Sequence, residues 1–363
     1  MSKFYSLRKN LFLVITFVLL TTVIQAQIVR KYSNEFMNIG VDAAAFGMSN
    51  AVVASTTDVN SGYWNPAGLI NLEDKQLSVM HASYFANIAN YDYAAFAMPL
   101  DDRSAVGLSV IRFGVDDILN TTRLIDEQGN IDYNRISLFS TADYGITFSY
   151  ARKLPLDGFN YGVNAKVIRR IIGDFASSWG FGLDAGIQFK NDKWMFGLMA
   201  RDITTTFNAW TIDEDKFADI KGAVMDQNQE LPETTEITIP KLQLGAARTF
   251  IFHYDYTLLA EVDLNFRFAE TNDIISTSFA SITPSLGLEF GYLEMVYVRA
   301  GLGNFQNTLQ LDGSDAIGFQ PNIGVGFKYK GIHVDYALTD IGDQSVALYS
   351  NVFSLKLDWN IFR

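Results

Sequence analysis

Residues 258–268 read LLAEVDLNFRF. In an extended chain successive side chains point to opposite faces, so Leu258, Ala260, Val262, Leu264, Phe266 and Phe268 share one face. Glu261, Asp263, Asn265 and Arg267 share the other. The same division returns in FGLDAGIQFK (181–190), NIGVGFKY (322–329), GIHVDYAL (331–338) and FSLKLDWNIF (353–362). Along the whole chain a period of two marks about fourteen strands. They lie near 76–86, 91–99, 104–113, 141–153, 159–171, 178–190, 194–202, 241–252, 256–268, 281–292, 296–302, 317–329, 331–338 and 346–362.

Alternation is common to soluble sandwiches and membrane barrels, so the connections have to separate them. Those on one side are short: LDDR near 100, LPLDG near 156, 191–193, 253–255, 293–295 and Lys330-Gly331. Those on the other are longer, notably 114–140, 203–240, 269–280 and 303–316. Short turns alternating with long loops are expected of an outer-membrane barrel, with turns in the periplasm and loops outside the cell. Aromatics near segment ends, including Tyr84, Phe85, Tyr150, Trp194, Tyr254, Tyr256, Tyr292, Tyr329 and Trp359, fit girdles at the two membrane interfaces. The reading is an all-β protein, an antiparallel transmembrane β-barrel of about fourteen strands, embedded in outer-membrane lipid.

Composition agrees. The 363 residues are 48% hydrophobic and 14% aromatic with a formal charge of −12, which argues against nucleic acid as a partner. Lys3, Arg8 and Lys9 precede the apolar run LFLVITFVLLTTV, and a small residue, Ala26, follows, so residues 1–26 read as a cleaved signal peptide despite the bulky Ile24. After Val23 no apolar run approaches the roughly 20 residues of a membrane-spanning helix. With no cysteine there is neither a disulfide nor a site for a lipid anchor. The expected division is 1–26 signal peptide, 27–75 N-terminal plug segment and 76–363 barrel.

Residues 33–72 do not alternate and are rich in Ala, Gly, Ser and Asn, as a segment packed inside a barrel would need to be. The stretch ends in NSGYWNPAGL (60–69), where Pro66 fixes its own φ, biases Asn65 away from helix, and Gly68 offers a conformation closed to other residues. GVDAAAFGMSNAVVASTTDVNSGYWNPAGL (40–69) resembles the amino-terminal signature of the PorV/PorQ family of outer-membrane barrels, which are similar to the FadL fatty acid channels. The resemblance implies a FadL-like fourteen-stranded barrel entered through Asp58, Asn65, Pro66 and Ala67. It also implies one of two functions. PorV-like proteins serve type IX secretion in Bacteroidetes, binding a secretion translocon and exported cargo proteins, and the Asn-Pro-Ala spacing favours that side. FadL-like proteins pass hydrophobic small molecules.

Catalysis has little support. His81, His253 and His333 are far apart, no phosphate loop or nucleophile elbow appears, and no metal or cofactor is expected. His333 and Asp335 share a strand face, which a polar lumen explains, and DGSD (312–315) carries oxygen ligands without an EF-hand spacing. Asp184, Glu261, Asp263, Arg267, Glu289, Arg299, Lys328, Asp335, Lys356 and Asp358 fall on inward positions, where opposite charges would brace a plug. The longest loop, 203–240, holds eight acids against two lysines together with Phe207, Trp210 and Phe217, a candidate partner-binding surface.

Overall fold

Polarity decides the architecture, because the alternating segments bury their charged face and expose their apolar one. In the computed structural model Glu261 and Asp263 are 2% and 1% exposed, while Val262 and Leu264 are 44% and 37% exposed. A protein in water does the reverse with charges. Hydrocarbon around an apolar exterior satisfies the pattern, provided every strand edge is paired. None of the described helices is long and apolar enough to cross a membrane; the strands cross it. The structure describes residues 33–84, 88–125, 129–214, 234–309, 313–339 and 349–359.

Seventeen strands follow one another: β1 (Gln76–Tyr84), β2 (Ala89–Asp101), β3 (Ser104–Asn120), β4 (Ser137–Lys153), β5 (Phe159–Ile172), β6 (Ala176–Lys190), β7 (Trp194–Arg201), β8 (Thr206–Ile212), β9 (Thr235–Thr238), β10 (Lys241–Phe252), β11 (Tyr256–Arg267), β12 (Ile275–Ser276), β13 (Ser281–Tyr292), β14 (Val296–Leu309), β15 (Asp315–Tyr329), β16 (Ile332–Thr339) and β17 (Ser350–Asp358). Fourteen of them form the wall, antiparallel throughout, and β17 closes on β1 from Gln76 opposite Asp358 to Ser83 opposite Asn351. The other three, β8, β9 and β12, are short additions at the loop end.

Two irregularities shape that end. First, β7 pairs with β6 only over Ala185–Lys190; above it the chain turns out at Asp202 and Thr205, both at positive φ (55° and 60°), and β8 takes over as the neighbour of β6. Second, β13 and β14 pair from Tyr292 opposite Val296 only as far as Leu286 opposite Leu302. Pro284 has no N–H to continue the ladder, and Asn304 at φ 51° leaves the extended conformation. The two strands part there, and an isolated bridge between Asp273 and Gln306 reconnects the wall above.

The wall strands fall where alternation puts them, and the exceptions have physical causes. β3 continues to Asn120 because a bulge between Val115 and Ile118, with Asp117 at φ 57°, reverses the phase beyond the predicted end. β8 and β9 occupy part of what reads as the 203–240 loop, and β12 part of 269–280. Sorting of connections is incomplete, since β5 and β6 are joined at the loop end by only 173–175. Trp194, Tyr256, Tyr292, Tyr329 and Trp359 are 38–50% exposed near the turn end, as a girdle requires. Tyr84 is not part of one; its ring packs edge-on to buried Tyr91 at 6.3 Å. Residues 1–26, Phe85, Phe217, Asp312 and the last residues, Phe362 and Arg363, lie outside the described residues.

Candidate functional site

The lumen is occupied by residues 33–75, and the Asn60–Leu69 stretch shows how. Ser61–Trp64 form a helical turn, after which Asn65 becomes extended (φ −159°, ψ 103°), as a residue before proline prefers. Its Oδ1 accepts from Ala67 N at 3.3 Å, capping the 3-10 helix Pro66–Asn71, which Pro66 opens without losing a hydrogen bond. Its Nδ2 donates to Val53 O and to Ile187 O on β6, both at 3.1 Å. Asn65 therefore ties the segment to itself and to the wall. Gly68 is needed for space and not for a left-handed conformation: a Cβ there would lie 2.7 Å from Ser61 Oγ and closer still to Thr56 O. Tyr63 and Trp64 are buried, edge-to-face at 4.8 Å, donating to Met37 O and Val41 O.

Attachments run right round the barrel. On β11, Asp263 Oδ2 accepts from Val52 N (3.0 Å) and Val53 N (3.1 Å), and Glu261 Oε1 from Ala54 N (2.7 Å), so two buried carboxylates hold three consecutive amides. Three staves away on β6, Gln188 Nε2 donates to Thr56 O at 2.9 Å. Asn164 on β5 donates to Gly62 O at 2.9 Å, Asn322 on β15 to Ser49 Oγ at 2.7 Å, and Ser354 on β17 to Asp42 at 2.8 Å. Lys356 on β17 pairs with Asp58 and stands 3.9 Å from Asp42. Burial alone would push the Asp58 carboxyl up, but the Lys356 charge, its hydrogen bond and the Asn60 N–H together hold it below the usual 3.8.

Where no side chain reaches across, glycine lets backbone meet backbone. Three cross-strand glycine pairs face inward: Gly162 with Gly186, Gly197 with Gly245, and Gly287 with Gly301. A Cβ on Gly162 would lie 2.5 Å from Ala67 N, on Gly197 2.8 Å from Ala54 Cα, and on Gly287 2.9 Å from Met48 O. Each pair is a flat patch on which one bend of the segment rests. These residues escape a search for chemistry; the available signal is that glycine recurs at polar-face positions that strand register then brings side by side.

Among the described residues, one cavity lies on each side of Trp64. The one toward the turns, about 570 Å³, is lined by eight carboxylates, with Arg299, Lys328, Lys356 and His333 as its basic residues. The one toward the loops, about 250 Å³, is lined by amides, hydroxyls, Arg201, Lys241 and Arg267. Trp64 borders both, and both linings are predominantly polar. Among the described residues no three His, Cys, Asp or Glu side chains converge to hold a metal ion.

Some of the inward charges pair: Arg299 meets Glu289 and Asp335, each at 2.6 Å. That separates Asp335 from His333, which instead meets Asp358 at 3.3 Å, so the two are not one site. Phe207 and Trp210 sit in a strand, not a loop, and on opposite faces of it. Phe207 is 48% exposed, whereas Arg170 lies over the Trp210 ring at 5.2 Å, so they form no common surface.

The sequence profile of one family, described as Type IX secretion system protein PorV, matches residues 23–272, more than half of the chain. No curated protein matches it. Among solved structures the fold is similar to the toluene transporter TodX of Pseudomonas putida (12% identity, TM-score 0.54, covering 88% of this chain and 99% of that one). It is also similar to the toluene transporter TbuX of Ralstonia pickettii (10%, 0.51, 88% and 98%) and to a FadL homologue of Pseudomonas aeruginosa (13%, 0.50, 88% and 98%). At such identities the likeness is one of fold.

Proposed function

The chain belongs to the PorV family of type IX secretion system proteins, and from that membership we propose that it serves secretion as a binding partner at the outer membrane. In this reading residues 1–26 direct export and are removed, 27–75 are the plug, and the loop end receives exported cargo or contacts the translocon. The observation that carries it is the circumferential bonding of residues 33–75: a lumen closed by its own polypeptide leaves the outer surface as the place for function. Passage of hydrophobic solutes, the alternative that the likeness to the toluene transporters TodX and TbuX raises, finds less support. Both cavities are polar or charged, and a greasy solute would gain nothing by leaving lipid for either.

The acidic stretch between β8 and β9, which contains Phe217, is the segment best suited by composition to recognition. Deleting 215–233 while keeping the β8–β9 hairpin leaves the wall pairing intact. Affinity purification from detergent-solubilised membranes is expected to recover secretion components with the full chain and to lose at least one of them with the deletion. Recovery of an identical set would remove this loop from the mechanism.

A further inference from the structure

Among the described residues Arg201 is a buried cation without an anion. Its residue is 6% exposed, and no carboxylate among the described residues lies within ion-pair distance. Neutral groups hold it instead: Nε donates to Gln243 Oε1 at 2.7 Å, Nη2 donates to Tyr63 O at 2.9 Å, and the guanidinium lies over the Tyr63 ring at 4.5 Å. Asp202, its neighbour in sequence, is committed elsewhere, to Lys166 at 2.5 Å and to Thr206. A buried charge normally has a partner, and leaving one unpaired is costly. The remaining N–H groups of Arg201, Nη1 among them, have no acceptor among the described residues.

The surroundings supply what such a partner would need. Arg201 lines the outer cavity with Lys241 and Arg267, and no carboxylate among the described residues lines it, in a protein of net charge −12. Lys241 meets Glu35 at 3.1 Å, but Arg267 has no ion-pair partner among the described residues. Positions are fixed by a side-chain relay along the wall: Arg201 to Gln243, Gln243 Nε2 to Asn265 Oδ1 at 2.7 Å, and Asn265 Nδ2 to Thr283 O and Ser285 Oγ, both at 3.3 Å. Asn322 Oδ1 and Thr283 Oγ1, on residues that also line the cavity, are buried without partners. A planar guanidinium held in place beside amides and hydroxyls, with a second one in the same lining, suits an oxyanion bearing hydroxyls.

We propose that the outer cavity is a binding site for a hydrophilic oxyanion of the phosphate class, with Arg201 and Arg267 as its charge partners. The space of about 250 Å³ fits a phosphate or a phosphorylated head group and not a long acyl chain. Two routes lead to it. A soluble anion enters from the loop end. A lipid head group enters through the seam where β13 and β14 part, since Thr283, Ser285, Gly303 and Asn304 belong both to that seam and to the cavity lining.

The test uses the full chain purified in a zwitterionic detergent, titrated with inorganic phosphate by calorimetry. In parallel it is reconstituted in nanodiscs of phosphatidylcholine with and without phosphatidylglycerol, and retained lipid is read by native mass spectrometry. Arg267→Gln is expected to weaken the interaction about tenfold. Arg201→Gln should weaken it further, but that residue also touches the plug, so Arg267→Gln carries the test if the first variant misfolds. Saturable phosphate binding supports the site with a soluble ligand; retention of phosphatidylglycerol alone supports it with a head group. Absence of both in the folded wild-type protein overturns the proposal, as does binding that Arg267→Gln leaves unchanged.

Discussion

Replacing Gly162 or Gly197 by valine is expected to prevent the internal segment from seating, and the double replacement to abolish folding of the barrel. The cause is steric. The added Cβ atoms would fall 2.5 Å from Ala67 N and 2.6 Å from Val53 C, against backbone that cannot swing aside as a flexible side chain would. Overpacking a core typically costs about 1–3 kcal/mol, and here each substitution should reach or exceed about 3 kcal/mol because main chain must move. The segment also cannot retreat, since its carbonyls and amides are bonded to β5, β6 and β11 on different sides of the lumen. Heat-modifiable migration in unboiled gels and protease resistance of residues 33–75 measure the outcome. Ala246→Val is the control, on the outward face between Gly245 and Ala247, and should be neutral. Wild-type migration and resistance in the Gly162→Val/Gly197→Val protein would mean that the segment does not rest on these patches.

The second large effect is expected at Lys356. Lys356→Met leaves Asp58 and Asp42 facing β17 without their cation, and breaking a buried pair from one side costs roughly 3–5 kcal/mol. The lower end applies, because the Asp58 side chain is 25% exposed to the inner cavity and water can partly replace the ammonium. Lys356→Arg should retain most of the stability, and Lys356→Met/Asp58→Asn should recover part of it by removing the stranded charge. The same pair predicts an acid transition in the wild type. With its pKa held below 3.8, Asp58 contributes its full share above that value and loses it as pH falls through the lower folded-state value. Loosening of the segment, read by proteolysis, should therefore begin only below about pH 4 and be absent as a distinct step in Lys356→Met. An unchanged acid profile in that variant would show that another group controls the step.

How much of this was legible in the sequence depended on whether the cause was local. The alternation in 258–268 is local, and it located β11 and its neighbours because one-residue slips would turn charge toward lipid. β8 was hidden because Phe207 and Ala209 fall on one face but Trp210 and Ile212 on the other, which breaks the period within an acidic stretch. The upper part of β3 was lost at the bulge beside Asp117, where the phase flips. Asn65-Pro66 was readable as a turn, whereas the bond from Asn65 to β6, the reason for Gly68 and the glycine pairs were not. These depend on which stave faces which bend of the segment, and nothing local encodes that pairing. The unpaired state of Arg201 is likewise invisible until its surroundings are assembled.

The most direct test of the whole account is the solvent on each face of the wall. Because the chain has no cysteine, single cysteines at Leu258, Ala260, Val262 and Leu264 can carry nitroxide labels without background. In reconstituted bilayers these labels should show high accessibility to oxygen, low accessibility to a water-soluble nickel complex, and the largest ratio at the middle of the strand. Free collision with the nickel complex along the whole series would place that face in water, and the membrane barrel would have to be abandoned.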